Sequence, residues 1–488
     1  MEINLGIDSL HQQIKEIINN RSEELSGNRY LSEFAQIKRL LERCSGDKEF
    51  QEEFEIDPST ALAKHGLSLS IDPEEVRLLW DKEYEKSWNS AENVPLPVIR
   101  YRLFIQEIRL HRSNQHSTDF LPIKNLRYKT WRDRQINRCK SQLGHLLSDA
   151  VVHAPFTFEL NKGCSVGCWF CGISAPKLSD IFFYTPENVI LWQETLKVLL
   201  EIIGPAASNG FCYWATDPLD NPDYENFLLD FYKILGEFPN TSTAQPLKDP
   251  SRLRKLFQLA RENNGFFDRF SILSTNMLRK VHQEFTPDEL SFVELTIQNQ
   301  DEKRIGKHSS GRARDHFRKE AEKNQQEYPD DKQSGTIACV SGFLFNMVDR
   351  QVKLITPCNA SEKWPLGYQI FQEGFFSDGD SLKKLLLEMI ENHMPKYISR
   401  DDKISFRKDL NYNETPEGFT LTSAFIKQSF KYKKPEQFQC LTREIAQGKS
   451  TAIELAILLE NKYAIAPQDT FHQLNFFFDK GFLDEEPA

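Results

Sequence analysis

The sequence predicts an α/β chain: an open, partial barrel of parallel strands with a helical region before it and a smaller helix-rich region after it. Three observations predict this. Between residue 153 and about residue 300, short apolar and aromatic runs alternate with helices that open on a capped proline and close on glycine, the pattern of parallel βα units. That stretch has room for about five or six strands and falls short of the roughly 250 residues of a full eight-fold barrel. The first 115 or so residues carry helical periodicity with polar breaks, and the last eighty or so end in three closely spaced helices.

The helical region comes first. Leu31 to Leu41 has helical periodicity stopped by Cys44-Ser45-Gly46. Asp57-Pro58 caps a short helix ending at Gly66, and Asp72-Pro73 opens another that carries Val76, Leu79 and Trp80. His65, beside a helix-ending glycine, reads as a capping or surface residue. Residues 1–120 are therefore expected to form a helical domain. Residues 121–150 form a basic connecting segment with Lys124, Arg127, Tyr128, Lys129, Trp131, Arg132, Arg134, Arg138 and Lys140, either a solvated helix face or a track for an acidic peptide.

A strand from His153 to Leu160 has Phe156, Phe158 and Leu160 on one face. Thr185-Pro186 then caps a helix with an apolar stripe through Val189, Trp192, Leu196 and Leu199, ended by Gly204-Pro205. Strands are expected at Gly210 to Ala215, near Thr241 to Gln245, at Arg269 to Ser274 and at Phe292 to Gln298, with helices opened by Asn221-Pro222 and Asp249-Pro250 between them. Asp301 to Glu327 is a hydrophilic insert, read as a surface loop or a lid. Thr336 to Met347 and Val352 to Cys358 read as an antiparallel hairpin that closes the 151–375 domain. Residues 376–404 are a linker helix. Residues 405–488 alternate weakly as strands and then form helices at Pro435 to Ala446, Ser450 to Tyr463 and Pro467 to Lys480.

Composition bounds the compartment and the partners. With 39% hydrophobic and 27% charged residues the chain builds ordinary cores, and it has no apolar run long enough to span a bilayer. Nine cysteines in 488 residues, and no signal peptide at the start, fit a reducing, cytoplasmic setting. A net charge of −10 argues against broad nucleic-acid affinity.

Chemistry concentrates in Gly163-Cys164-Ser165-Val166-Gly167-Cys168-Trp169-Phe170-Cys171-Gly172. The C-x3-C-x2-C spacing lets one loop aim three thiolates at one inorganic centre, and soft thiolates select zinc or an iron-sulfur cluster. A structural zinc site wants four closed ligands, and no fourth Cys or His lies nearby in sequence. The motif, with Phe170 before its last cysteine, resembles the signature of the radical S-adenosylmethionine (SAM) enzymes. The resemblance implies a partial (β/α)6 barrel, one 4Fe-4S cluster on Cys164, Cys168 and Cys171, and SAM as cofactor. In such a barrel functional residues sit at strand ends. That makes Phe170, Thr216, Asp217, Gln245, Ser274 and Gln298 candidates for the cofactor, although turn chemistry explains any one of them as well.

Two further stretches, Tyr213-Trp214-Ala215-Thr216-Asp217-Pro218-Leu219-Asp220-Asn221-Pro222 and Ala338-Cys339-Val340-Ser341-Gly342-Phe343, resemble the polytheonamide-type radical SAM epimerases that mature proteusin peptides. This resemblance implies conversion of L-residues to D-residues in a ribosomal precursor. A 5′-deoxyadenosyl radical would remove the Cα hydrogen and a neutral thiol on the other face would return one. Cys339, in an apolar run, is the expected donor, with Cys358 as alternative and Cys212 and Cys139 as competitors. Residues 405–488 resemble the winged-helix domains that hold leader peptides. The implied partners are the precursor, leader and core, and an electron donor such as flavodoxin or ferredoxin. The alternatives are a radical SAM enzyme that crosslinks or methylates peptides, and a non-enzymatic metal-binding protein that recognises peptides.

Overall fold

A computed structural model describes residues 2–19, 28–88, 94–116, 121–144, 148–149, 151–265, 268–298, 310–326 and 335–487. It is a mixed α/β protein whose chain divides into two compact units. The first comprises residues 1–121, 211–213 and 217–305, and the second residues 122–210, 214–216 and 306–488. Among the described residues no helix is long and apolar enough to cross a membrane.

The first unit opens with α1 (Glu2–Asn19), α2 (Arg29–Gly46), α3 (Lys48–Ile56), α4 (Pro58–Lys64), α5 (Arg77–Trp80), α6 (Lys82–Ser87) and α7 (Leu96–His116). The cap residues read in the sequence act as caps: Asp57 accepts from the Thr60 N–H and Asp72 from the Glu74 N–H. His65 is the C-cap of α4, with Nε2 2.9 Å from Glu53. A second layer carries three short parallel strands, β4 (Ser242–Thr243), β5 (Asp268–Ile272) and β6 (Val293–Ile297), in that order. Between them run α10 (Tyr224–Leu235), α11 (Pro250–Glu262) and α12 (Thr275–Glu284).

The second unit is built on a four-stranded sheet of order β1-β7-β8-β9, from β1 (Ala154–Glu159), β7 (Val340–Asn346), β8 (Gln351–Pro357) and β9 (Tyr368–Phe375). β1 and β7 are parallel, and β7, β8 and β9 are antiparallel neighbours, so the expected hairpin forms and gains a third strand. The sequence reading missed β9. Its outer residues are half-exposed, so alternation there is faint. Phe156 and Phe158 are fully buried; Phe158 meets Trp192 at 4.5 Å and Phe345 at 5.0 Å. Each such ring contributes on the order of 2–3 kcal/mol of burial. Trp192 comes from α9 (Pro186–Ile203), capped by Thr185 as its sequence predicts.

Two sheets thus stand where the sequence suggests one curved barrel. The expected strand at 210–215 does not form. Gly210 is pressed onto the Phe156 ring, Ala215 turns through φ +47°, and 3-10 turns at Pro205–Asn209 and Pro218–Asp220 bracket the stretch. Trp214 still donates to the Phe158 carbonyl at 3.3 Å, a remnant of pairing with β1.

The basic segment is α8 (Leu126–Leu143), and its face is only partly solvated: Lys129 and Lys140 are exposed, while the arginines on its other side turn inward. Arg132, Arg134 and Arg138 are buried. Arg132 donates to the His153 carbonyl at 2.8 Å, Arg134 pairs with Glu485 at 3.0 Å, and Arg138 reaches Thr356 and the Pro357 carbonyl. Helical periodicity hides this, because long cationic side chains bury their stems while their heads find carbonyls.

In the hydrophilic insert, Gly306-Lys307-His308-Ser309 lie outside the described residues, and the part after Ser310 is a helix, α13 (Gly311–Lys323), rather than a loop. After α14 (Gly379–His393) come three antiparallel strands, β10 (Asn411–Thr415), β11 (Gly418–Thr422) and β12 (Lys427–Lys431). The chain ends in α15 (Pro435–Gln447), α16 (Ala452–Tyr463) and α17 (Pro467–Asp479). These elements share a core of their own, with Phe419, Leu441, Leu455, Leu474 and Phe477 at its centre.

Candidate cysteine-loop site

β1 delivers the chain into β2 (Asn161–Lys162), which pairs with β3 (Asp180–Ile181) and so ties both ends of the cysteine loop together. Inside that tie the Cys164 N–H donates to the Pro176 carbonyl at 2.9 Å, and Leu178 N–H returns a bond to the Cys164 carbonyl at 3.2 Å. Gly163 has φ +89°, and a Cβ there would stand 2.5 Å from the Lys177 carbonyl oxygen, so only glycine fits this crossing. Farther on, the Cys171 N–H bonds the Cys168 carbonyl at 3.3 Å and the Ser174 N–H bonds the Cys171 carbonyl at 3.1 Å.

Cys164, Cys168 and Cys171 are half-buried, and none of the nine cysteines is in a disulfide. The Ala175 N–H points at the Cys171 sulfur at 3.3 Å. Among the described residues no three His, Cys, Asp or Glu side chains already converge as metal ligands. A change of χ1 rotamer re-aims a cysteine thiol while the backbone stays fixed. The donor set and the tied loop therefore fit a thiolate-bound cluster.

A residue that sequence reasoning missed holds this loop. Arg312, in the first turn of α13, donates from Nη1 to the Cys168 carbonyl at 2.9 Å and from Nη2 to the Ala175 carbonyl; its backbone N–H reaches the Cys171 carbonyl at 3.0 Å. α13 also sets His316 and Phe317 against Trp169, at 4.8 and 5.9 Å, and Trp169 meets Phe170 edge-on at 5.4 Å. The sequence offers only Gly311-Arg312 as a hint, inside a hydrophilic stretch whose composition suggests a loop.

The segment before β7 abuts the loop. A Cβ on Gly172 would lie 2.8 Å from Ile337, two residues before Cys339. Cys339 is half-buried, its sulfur 3.4 Å from the Ile337 carbonyl and its own carbonyl bonded to the Ala154 N–H. It thus stands at the start of the parallel β1 and β7 pair, not at a strand's C-terminal end. Cys358, just past β8, is buried, and burial pushes its thiol up to about 12. Cys139 and Cys212 are buried as well, and burial raises both thiols.

Thr216 also joins this unit, its hydroxyl accepting from Asn161 Nδ2 at 2.9 Å, three residues before Cys164. Asp217, Gln245, Ser274 and Gln298 belong to the first unit. Asp217 is buried and accepts from Leu219 N–H, Ala244 N–H and the Thr243 hydroxyl; burial raises its pKa. Gln245 donates to Asp220 at 3.1 Å, Ser274 caps α12 through the Met277 N–H, and the Gln298 N–H extends the pairing of β6 with β5 through the Ile272 carbonyl. Turn and cap chemistry accounts for these contacts.

Over 450 residues the chain is 37% identical to the protein y4wI of Sinorhizobium fredii, spanning 91% of this chain and 85% of that one. The chain belongs to the y4wI family. That relative's name, an uncharacterized protein, assigns no activity. No family model matches the chain. Among solved structures, BtrN in complex with AdoMet and 2-DOIA aligns with 41% of this chain and 71% of that chain at 14% identity and a TM-score of 0.27, a likeness too loose to carry an argument.

Proposed function

We propose that this member of the y4wI family is a radical SAM enzyme that converts L-residues to D-residues within a ribosomally made precursor peptide. The observation that carries the reading is the tied loop with Cys164, Cys168 and Cys171, three thiols outside any disulfide on one short span, with the Ala175 N–H aimed at a sulfur. Cys164, Cys168 and Cys171 would hold a 4Fe-4S cluster. When bound, the cluster and SAM supply a one-electron oxidant able to take a hydrogen atom from a substrate carbon.

The remaining work belongs to the chain. Arg312 fixes the loop through three carbonyls, and Trp169, which belongs to the loop, packs against Phe170 and Phe317. Cys339 would return a hydrogen atom from its thiol to the planar Cα of the substrate; its place beside the Gly172 contact supports that role. The sulfur radical left behind needs one electron and one proton, which a flavodoxin or ferredoxin partner and water would provide. Cys358, buried and neutral, is the alternative donor. The 405–488 segment would hold the leader by extending its sheet.

The test is anaerobic reconstitution followed by coexpression with a candidate precursor in deuterated water. The native chain should bind four irons, cleave SAM and leave D-residues carrying deuterium. With Cys164, Cys168 and Cys171 all replaced by Ala, iron and cleavage should both vanish. Full iron stoichiometry in that variant would overturn the reading.

A further inference from the structure

Between β8 and β9 the chain makes a turn that touches two parts of the second unit far apart in sequence, the start of α13 and residues 484–487. The turn is bonded to itself. The Trp364 N–H donates to the Ser361 hydroxyl at 3.0 Å, and the N–H groups of Ser361 and Gly367 both return to the Trp364 carbonyl, at 3.2 and 3.0 Å. At its base the Cys358 N–H meets the Gly367 carbonyl at 2.9 Å. Bonds this local tie the turn into one small body that shifts as a piece.

On one side that body holds α13. The Gly311 N–H donates to the Pro365 carbonyl at 2.8 Å, Arg314 Nη1 to the Ser361 carbonyl at 3.0 Å, and Arg318 pairs with Glu362 at 2.6 Å. The same first turn of α13 grips the cysteine loop, since Arg312 follows Gly311 and takes the Cys168, Cys171 and Ala175 carbonyls. A Cβ on Gly311 would collide with the Gly172 carbonyl, so helix and loop meet with no room between them. On its other side the turn is held by 484–487. The Trp364 Nε1–H donates to the Glu486 carboxylate at 2.6 Å, a charge-assisted bond, and Lys363 Nζ reaches the Pro487 carbonyl at 2.6 Å. Just before this segment, Phe482 and Leu483 are buried in the core that β10 to β12 share with α15 to α17, and Leu483 bridges to Phe406.

From Glu486 to the cysteine loop, hydrogen bonds thus alternate with single peptide links: Glu486 to Trp364, Pro365 to Gly311, Arg312 to Cys168. Coupling between distant sites travels through contiguous bonded networks of this kind. We propose that Trp364 and Glu486 are positioning residues for the cysteine loop: residues 484–487 latch the turn between β8 and β9, and the turn sets how firmly α13 grips the loop. A ligand that engages the 405–488 region and shifts the latch then acts on the span that carries Cys164, Cys168 and Cys171. The latch rests on the cluster reading above only for what the grip serves; its test uses metal-free protein and no turnover, so the two fail separately.

The test is amide hydrogen exchange, read by mass spectrometry, on the metal-free full-length protein. Lys363, the ionic partner of Glu486 at 3.6 Å, is 46% exposed, so Glu486→Ala strands no buried charge. In that variant exchange across residues 163–178 should quicken about threefold to tenfold, the upper figure being one charged hydrogen bond passed on whole. Exchange in α9 and in β10 to β12 should stay at the native rate. Trp364→Phe, which keeps a ring and removes the N–H, should match Glu486→Ala. The double variant should be no faster than either single one, because both remove the same bond. Glu486→Gln keeps an acceptor for the indole N–H and should lie nearer the native rate than Glu486→Ala. The proposal is overturned if loop exchange in Glu486→Ala stays native, if it quickens equally in α9 and β10 to β12, or if Glu486→Gln is as fast as Glu486→Ala. Should Trp364→Phe fail to fold, the two Glu486 variants decide alone.

Discussion

Arg312 donates from its guanidinium to the carbonyl of Cys168 at 2.9 Å, and the bond joins α13 to the middle of the cysteine loop. With the Ala175 and Cys171 carbonyls also on Arg312, one residue spans the loop across its second and third cysteines. Charged hydrogen bonds to carbonyls are each worth about 1.5–3 kcal/mol. Arg312→Ala should therefore shorten the lifetime of reconstituted iron under chelator challenge by at least tenfold, with the secondary structure kept. Visible absorbance against time after chelator addition reads this, and an unchanged decay would show that the loop holds itself. Arg312→Lys should rescue little, since one ammonium cannot reach the two side-chain acceptors of a planar fork at once.

Glu159, on β1, gives a pH-dependent prediction. Burial pushes its carboxyl up to about 7, against the bond from Asn346 Nδ2 at 2.7 Å that favours the charged form. A carboxyl raised in the folded state is protonated there while it is ionised in the unfolded chain, so stability falls as pH rises from about 4.5 to about 7. Water reaches part of this half-buried side chain, and the full effect discounts to about 1–2 kcal/mol. Glu159→Gln keeps an acceptor for Asn346 and removes the ionisation. Its melting temperature should match the native protein near pH 5 and exceed it by a few degrees at pH 8; a gap that does not widen with pH would refute the assignment.

Arg134 has a side chain only 1% exposed and lies over the Phe478 ring at 3.9 Å, so its charge depends on Glu485, 15% exposed. Glu485→Gln leaves a buried cation without its carboxylate. The cost should be about 2–4 kcal/mol, at or below the range for broken buried pairs because Glu485 touches water. Chemical denaturation of the two proteins reads this directly. The same pair means that deleting 405–488 would expose a buried arginine, so point substitutions test leader binding more cleanly than truncation.

The features legible in the sequence were local. The caps at Asp57, Thr185 and Asp249 and the helices behind them lie where their residues place them, because capping is decided within one turn of chain. The hairpin of β7 and β8 was readable from continuous apolar runs. The failures were long-range. Gly210 to Ala215 packs against the Phe156 ring at Gly210 and turns at Ala215 instead of running as a strand, and no pattern in 210–215 encodes those long-range surroundings. Arg132, Arg134 and Arg138 look solvated in a helical projection, and the carbonyls and the carboxylate they meet lie 21 to 351 residues away in the chain. At the site the cysteine spacing was legible, whereas Arg312 was not, since its acceptors are backbone carbonyls that carry no side-chain signal.

The last prediction separates the two hydrogen transfers of the proposed reaction. Cys339 is half-buried, and its sulfur donates to the Ile337 carbonyl at 3.4 Å, so Cys339→Ala removes one small group that acts as a small hydrophobe. The cysteine loop, Arg312 and the Gly172 contact with Ile337 are untouched by it. Iron content and SAM cleavage should therefore stay at native levels while D-residues fall by at least tenfold. Deuterium at Cα should fall in step, because a thiol hydrogen exchanges with water and is the route by which solvent deuterium reaches the carbon. If D-residues with full deuterium persist, the donor is elsewhere, and Cys358→Ala becomes the decisive variant: its thiol stays neutral up to about 12 and so keeps a hydrogen to give at any working pH. Normal products from both single variants and from the double variant would remove the thiol from the mechanism altogether.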